Sequence, residues 1–557
     1  MNPAVGLIAF LAVSIATAVI GFYGLRISRT TGDFYVASRT VPPWWNASAI
    51  GGEYLSAASF LGVAGLILLS GTDALWFPVG YTAGYLMLLL FVAAPLRRSG
   101  AYTIPDFTEA RLDSKLVRRV TSLVVVAVGW LYIVPQLHGA ALAIRITTGV
   151  PSWVGSTAVV VVVFLTVAAG GMRSITFVQA FQYWLKLTAL AVPVVFVLLV
   201  LAGTGTQPQA PLPINPTGQG AAGAYQHISL LVALLFGTLG LPHVLVRFYT
   251  NPDGQSARRT TLIVLGLLSV FYLFPTLSGA IGRMFAPELA QSGQADALVL
   301  LLPGKLVGGM AGDLLSALVV AGAFAAFLST TCGLVVSLSG VISQDLFGGS
   351  VRGFRLAAVL AAVVPLGFAL MTDTLALAGS VGLVFAFTAS TICPVLLLGI
   401  WWRGLTDAGA IAGMVTGAVL CGGAMVAGTL MGPENAPAWL AQPAAWTVPA
   451  AFAVTVTVSI LTKNRVPASV NRVAPARTGK TCGHREIAGS KPLSAAAARW
   501  TMAPCPRNRA RPLQNRHRPH RSCLQASARS CWPPNTGACW HPGAPLKAKS
   551  SPVSACS

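Results

Sequence analysis

Apolar stretches of about 20 residues recur along this chain from Val5 to Leu461. Each is long enough to cross a hydrocarbon layer roughly 30 Å thick as a helix. That layer holds no water to satisfy peptide groups, so the backbone bonds must close within each segment. Only 9% of the residues are charged, against roughly 25% in soluble domains, which excludes a soluble globular protein. The expected fold class is an all-α polytopic membrane protein.

Thirteen spans can be marked: 4–27, 44–70, 73–95, 119–144, 152–171, 175–202, 226–248, 260–283, 307–346, 354–372, 378–402, 408–430 and 445–462. An odd number puts the termini on opposite faces. With the N-terminus outside, the cytoplasmic segments carry 18 Lys and Arg, Arg247 among them, and the external segments carry 3, with Lys186 left inside span 6. The positive-inside rule therefore predicts an external N-terminus and a cytoplasmic C-terminus, as expected in a plasma membrane. The first span is read as retained, because its first basic residue, Arg26, follows the apolar run instead of preceding it. Trp44, Trp45, Trp76, Trp401 and Trp402 fall at span ends, where amphipathic rings meet the headgroups.

Charge divides the chain in two. Residues 1–465, the membrane domain, hold 22 basic and 14 acidic residues, net +8, whereas residues 466–557 hold 15 and 1, net +14, with six of the nine cysteines. A tail rich in Arg, Pro and Ser buries too little apolar surface to offset ordering entropy, so it is expected to be disordered. Its His517, His520, Cys523, Cys531 and Cys539 contain no CxxC spacing, which argues against zinc. One acid among 92 residues, with scattered Cys and Trp, fits translation of a GC-rich gene in a shifted frame.

Two spans are poor helices at their centres. Span 2 contains Gly51, Gly52, Glu53 and the hydroxyls of Ser48, Ser56 and Ser59; span 7 contains Gly237, Thr238, Gly240, Pro242 and His243. Proline removes a backbone donor and clashes with the carbonyl four residues back. Transporters place such breaks near the midplane, in corresponding positions of two repeats, where half-helix ends and bare carbonyls bind ion and substrate. The breaks lie five spans apart, an odd number, so the two units would run in opposite directions. Spans 2–6 and 7–11 (residues 44–402) would form an inverted five-plus-five core, with spans 1, 12 and 13 peripheral. In span 9, Ala326, Ser329 and Thr330 stand at i, i+3 and i+4 on one helical face. Such oxygens suit a small hard cation, or, in the bland alternative, the hydroxyls bond back within their own helix.

The stretches Gly52-Glu53-Tyr54-Leu55-Ser56-Ala57-Ala58-Ser59-Phe60-Leu61-Gly62 and Leu235 to Thr250, with the Gly170-Gly171-Met172 turn and Gln344-Asp345-Leu346-Phe347, resemble the sodium/solute symporter family, closest to its cation/acetate (monocarboxylate permease) branch. The resemblance runs from about Thr30 to Lys463 and implies the LeuT-like five-plus-five fold. It implies cation ligands at the carbonyls of Gly52, Leu55 and Ala326 with the hydroxyls of Ser329 and Thr330. It also implies substrate beside the breaks, near Gly51, Glu53, Ser56, Gly237, Thr238, Gly240 and His243. Many members carry an aspartate on the ion path early in span 6, where this chain has Gln179, which leaves Na⁺ and H⁺ both open.

The expected function is uptake of acetate, propionate or pyruvate, driven by an inward cation through alternating access, with no cofactor. The expected partners are solute, cation and bilayer, without nucleic acid or an obligate protein. Gln136 and His138, after Pro135 in span 4, could face the solute. Glu53 could contact the solute or cap the second half of span 2. Lys186, deep in span 6, could attract the anion or pair with Glu53. Alternative solutes are proline, pantothenate and urea, and a rival class is a transporter-like membrane sensor. An enzyme is disfavoured, because His138, His227, His243, Cys332, Cys393 and Cys421 form no metal or nucleophile motif.

Overall fold

A computed structural model of the chain describes residues 3–27, 31–204, 220–372, 377–432 and 435–467. The zinc and frame-shift readings of the basic tail fall on residues outside those described. Among the described residues the structure is helical throughout, without strands. Eleven helical stretches among the described residues are long and apolar enough to cross a membrane, fewer than the thirteen spans expected, because two pairs of spans run together.

Spans 5 and 6 form one helical stretch, Ser152–Thr204, of 53 residues. At 1.5 Å per residue that is about 80 Å, far more than one crossing uses. It is divided at Gly171, where φ is 55° and ψ −153°. A Cβ there would also lie 2.7 Å from the Cα of Phe34, so glycine is required by both conformation and space. Spans 2 and 3 run together over Ala58–Phe91, turning through the 3₁₀ segment Gly71–Leu75.

Span 2 is helical over Pro43–Tyr54. Leu55 leaves the helix at φ −75°, ψ 86°, and the chain resumes through a π-helical turn, Ala58–Gly62, into Val63–Ser70. Span 7 is helical over Gly220–Thr238. It then extends at Leu241 (φ −65°, ψ 115°), and Pro242 opens the helix Pro242–Tyr249, the position where a missing N–H costs least.

The packing around the two breaks follows the same pattern. A Cβ on Gly52 would stand 2.1 Å from the Gln179 carbonyl oxygen of span 6, and one on Gly237 would stand 2.5 Å from the Phe385 carbonyl oxygen of span 11. Each broken helix therefore presses its backbone on the fifth span of its own unit, and the two contacts correspond under a shift of five spans. Span 9, Gly309–Leu346, runs through the centre, its most apolar window wholly buried, whereas those of spans 12 and 13 are one-third buried.

One end of the bundle is tied by charge. Arg118, at the start of span 4, bonds Asp106 (2.8 Å), Glu109 (2.7 Å) and, at the end of span 9, Asp345 (2.7 Å). Arg111 is buried and donates to the carbonyls of Gly399 (2.9 Å) and Trp402 (3.0 Å), capping the C-terminus of the helix Leu377–Trp401. Elsewhere in the bundle a cavity of about 580 Å³ is lined by His138, Arg145, Trp153, Asp296 and Thr372.

Candidate functional site

The first half of span 2 ends with the carbonyls of its last turn uncommitted. The helix stops at Tyr54 because Leu55 turns away, so the Gly52, Glu53 and Leu55 carbonyls need other donors. Span 9 supplies two of them. The Ser329 hydroxyl donates to the Gly52 carbonyl at 2.6 Å and to its own Ala326 carbonyl at 3.1 Å, while the Thr330 hydroxyl donates to the Glu53 carbonyl at 2.7 Å. The five oxygen-bearing residues expected to hold a cation, Gly52, Leu55, Ala326, Ser329 and Thr330, thus lie at one buried junction of spans 2 and 9.

Span 6 supplies the third donor. Lys186, fully buried fifteen residues past the Gly171 turn, donates from Nζ to the Leu55 carbonyl at 2.7 Å and to the Gly52 carbonyl. Its structural partners are these carbonyls, not the Glu53 carboxylate suggested as one option by the sequence. A free cation on the same two oxygens would sit roughly 2.3–2.6 Å from them, as hard cations do. It would then be no more than about 5 Å from Nζ, where two unit charges repel by about 3 kcal/mol at an effective dielectric of 20. The oxygens suit sodium in type, but the ammonium already bound to two of them does not leave a fit for a second cation.

Glu53 finds its charge partner on the other broken helix. The Arg247 Nε donates to Glu53 Oε2 at 2.7 Å, with the two side chains 0% and 1% exposed. Arg247 also donates from Nη1 to the Thr176 hydroxyl at 2.7 Å and from Nη2 to the Gln179 side-chain carbonyl, and its own backbone carbonyl accepts from Asn46 at 3.0 Å. The positive-inside count treated Arg247 as a loop residue; in the structure it is interior, because the helix after Pro242 turns it against Glu53. Gln179 donates its amide to the Ser329 carbonyl at 2.7 Å. It therefore links Arg247 to span 9 instead of standing open on a path. The junction holds two basic side chains, Lys186 and Arg247, against one acidic side chain, Glu53.

Capping of the second half of span 2 falls to Gln136, not Glu53: the Gln136 Oε1 accepts from the Ala57 N–H at 2.9 Å. Its Nε2 is buried without a partner. Tyr132, one turn earlier on span 4, stands edge-on to His243 at 5.2 Å and to Phe385 at 6.0 Å between ring centroids. Tyr54 meets Tyr85 at 4.5 Å, and Tyr81 meets Phe385 at 5.2 Å. Around this aromatic cluster, the Tyr81 and Tyr85 hydroxyls, both ring nitrogens of His243 and Gln136 Nε2 are buried without hydrogen-bond partners. Buried polar atoms are normally paired, and these five stand unpaired near the two helix breaks.

The other expected solute residues have diverse settings. Thr238 donates to its own helix at Leu234 (2.7 Å) and lies 3.2 Å from the Tyr54 hydroxyl. Ser56 bonds Tyr132. Gly51, Gly237 and Gly240 pack against Tyr183, Phe385 and Thr388, so their role is close helix approach. His138 is separate from this group: it bonds the Ala369 carbonyl at 3.0 Å and lines the large cavity. Sequence reasoning did not single out Arg247, Tyr54, Tyr81, Tyr85 or Tyr132. The signal for Arg247 was available, since an intramembrane glutamate needs a cation and Arg247 stands four residues after His243 in the second break.

The sequence model described as the sodium:solute symporter family matches residues 34–417. The chain belongs to the sodium:solute symporter family. Among its relatives, the uncharacterized symporter YwcA of Bacillus subtilis (strain 168) is 31% identical over 434 residues, covering 74% of this chain and 83% of that one. A monocarboxylic acid transporter of Corynebacterium glutamicum is 30% identical over 461 residues, covering 75% and 82%. Among solved structures, a Na⁺-coupled sialic acid symporter in a substrate-bound outward-open state superposes with a TM-score of 0.62 at 14% identity, over 82% of this chain and 98% of that one. At that identity the likeness speaks for the fold, which is the LeuT-like fold. The symporter assignment makes this a multi-pass membrane protein with the family and fold of transporters, not enzymes.

Proposed function

We propose that this symporter takes up a short-chain monocarboxylate such as acetate, propionate or pyruvate, driven by an inward cation and working by alternating access. The observation that carries the proposal is the charge and hydrogen-bond balance of the buried junction. Two basic side chains face one acidic one, and beside them lie the unpaired donors of Tyr81, Tyr85 and Gln136. A small carboxylate supplies both what the charge lacks and what the donors lack. The apolar faces of Tyr132 and Phe385 suit a short alkyl group and would not solvate a second charge. The similarity to a monocarboxylic acid transporter supports the same class.

Solute would sit between the span 2 and span 7 breaks, with Gln136, Ser56, Thr238 and His243 around it and Glu53 held back by Arg247. An N-terminus outside and a C-terminus in the cytoplasm of the plasma membrane follow from the positive-inside bias, which stands at 17 against 3 once Arg247 is removed from the count. With that orientation the cavity at His138 and Arg145 opens toward the outside, and the Arg118 cluster closes the cytoplasmic end.

Proteoliposomes containing the full chain test this reading. Labelled acetate should accumulate against its gradient when an inward cation gradient is imposed, and unlabelled propionate and pyruvate should compete. Accumulation of proline, pantothenate or urea with none of acetate would reject the monocarboxylate assignment.

A further inference from the structure

The junction of spans 2, 6 and 9 carries its own cation. We propose that the Lys186 ammonium is the resident positive charge of this site, tethered to span 6 in the place where a free sodium ion would bind, so that solute handling does not depend on sodium there. The inference rests on the transporter reading above but not on the identity of the solute.

Three observations lead to it. Lys186 Nζ is bonded to the carbonyls of Gly52 and Leu55, two of the three that the break in span 2 leaves without a helix donor. The neighbouring carbonyls of the junction are met by protein donors as well: those of Gly52 and Ala326 by the Ser329 hydroxyl and that of Glu53 by Thr330. The side chain is fully buried and midway along the leg of span 6 after Gly171, too deep for its head to reach either interface. A compact ammonium with three donors is suited to bridging carbonyls that point inward from a broken helix. In this position it joins spans 2 and 6 as an exchangeable ion would join spans 2 and 9, without having to be loaded from solution.

The test uses the purified full chain in nanodiscs and ²²Na⁺ as the probe. The wild type should show no saturable ²²Na⁺ binding through the millimolar range. Lys186→Ala should create saturable binding, tighter by about 100-fold or more as the repulsion is removed, and adding Ser329→Ala should abolish it. Lys186→Met, which preserves length, serves if the alanine variant aggregates, and the wild-type measurement decides on its own. In parallel, acetate uptake by wild-type proteoliposomes should stay within twofold when N-methylglucamine replaces sodium. Saturable wild-type ²²Na⁺ binding lost on Ser329→Ala would overturn the proposal, as would a tenfold fall in uptake without sodium. A folded Lys186→Ala protein that binds no ²²Na⁺ would overturn it too. Failure to transport acetate under every condition would reject the solute class and leave the ²²Na⁺ result to judge the tethered cation.

Discussion

The Glu53–Arg247 pair joins the two broken helices, and replacing Arg247 with Met is the perturbation that measures it. Arg247 is bonded at 2.7 Å to Glu53 and at 2.7 Å to Thr176, and it also donates to Gln179. Methionine keeps much of the length and none of these bonds. Removing one partner of a fully buried pair leaves the other charge uncompensated, at a cost of about 3–5 kcal/mol. Lys186 remains in the same junction and offsets part of that charge, so the lower end of the range is expected. The double variant Glu53→Gln, Arg247→Met takes out both charges and keeps a hydrogen-bonding side chain at 53. It should recover about 2 kcal/mol of the loss, so that the coupling energy, which adds the cost of Glu53→Gln alone to that recovery, exceeds the roughly 0.5 kcal/mol scatter of independent sites. The assay is thermal unfolding of the purified full chain followed by tryptophan fluorescence at a fixed scan rate, since unfolding of such a chain is a rate-dependent quantity. At roughly 2 °C per kcal/mol for a large domain, the single variant should fall by about 6 °C and the double variant by only about 2 °C. A single variant that melts with the wild type, or a double variant as unstable as the two single changes added together, would show that the pair does not hold the breaks together.

Two further expectations concern different parts of the molecule. Tyr85→Phe removes a buried hydroxyl with no protein partner, so it should leave thermal stability within about 0.5 kcal/mol of wild type while weakening acetate competition by roughly tenfold, the value of about one net hydrogen bond; equal affinity in the two proteins would exclude this hydroxyl from the solute site. Asp253 caps the helix Gly254–Phe285 by accepting from the Ser256 N–H at 2.7 Å, and that bond holds its carboxyl below the usual carboxylate range. Its folded value being depressed, the stabilisation is complete above the unfolded value near 3.9 and disappears as pH falls through the folded one. Asp253→Ala should therefore cost about 1 kcal/mol at neutral pH and nothing in strong acid, as read from melting temperatures across that range.

Much of the architecture was legible in the chain. Hydropathy marked most edges of the membrane-crossing helices to within several residues, because a membrane crossing is a local requirement on consecutive side chains. The break at Pro242 was legible for the same reason, since proline's missing donor acts on its own backbone, whereas Gly51 and Gly52 marked the region of the span 2 break but stay helical, the chain leaving the helix at Leu55. The span count differed where two crossings join through a turn that stays nearly helical, as at Gly171, since hydropathy does not report where a continuous helical stretch folds back. Ser329 and Thr330 could be placed on one face of span 9 from their spacing, and their carbonyl partners on span 2 could not.

What the sequence by itself determined is therefore local and periodic: which segments enter the membrane, where two of them come apart, and which side chains share a helical face. Only the tertiary structure decided which partner each buried polar group takes. Glu53 meets Arg247 from 194 positions away, Lys186 reaches past that carboxylate to the carbonyls of Gly52 and Leu55, and the tyrosines of spans 2, 3 and 4 gather around His243 and Phe385. The physical reason is that a charge in a low-dielectric interior binds whatever neighbour the packing of several helices brings within about 3 Å, and that distance depends on how helix faces rotate against one another, a quantity no single segment encodes.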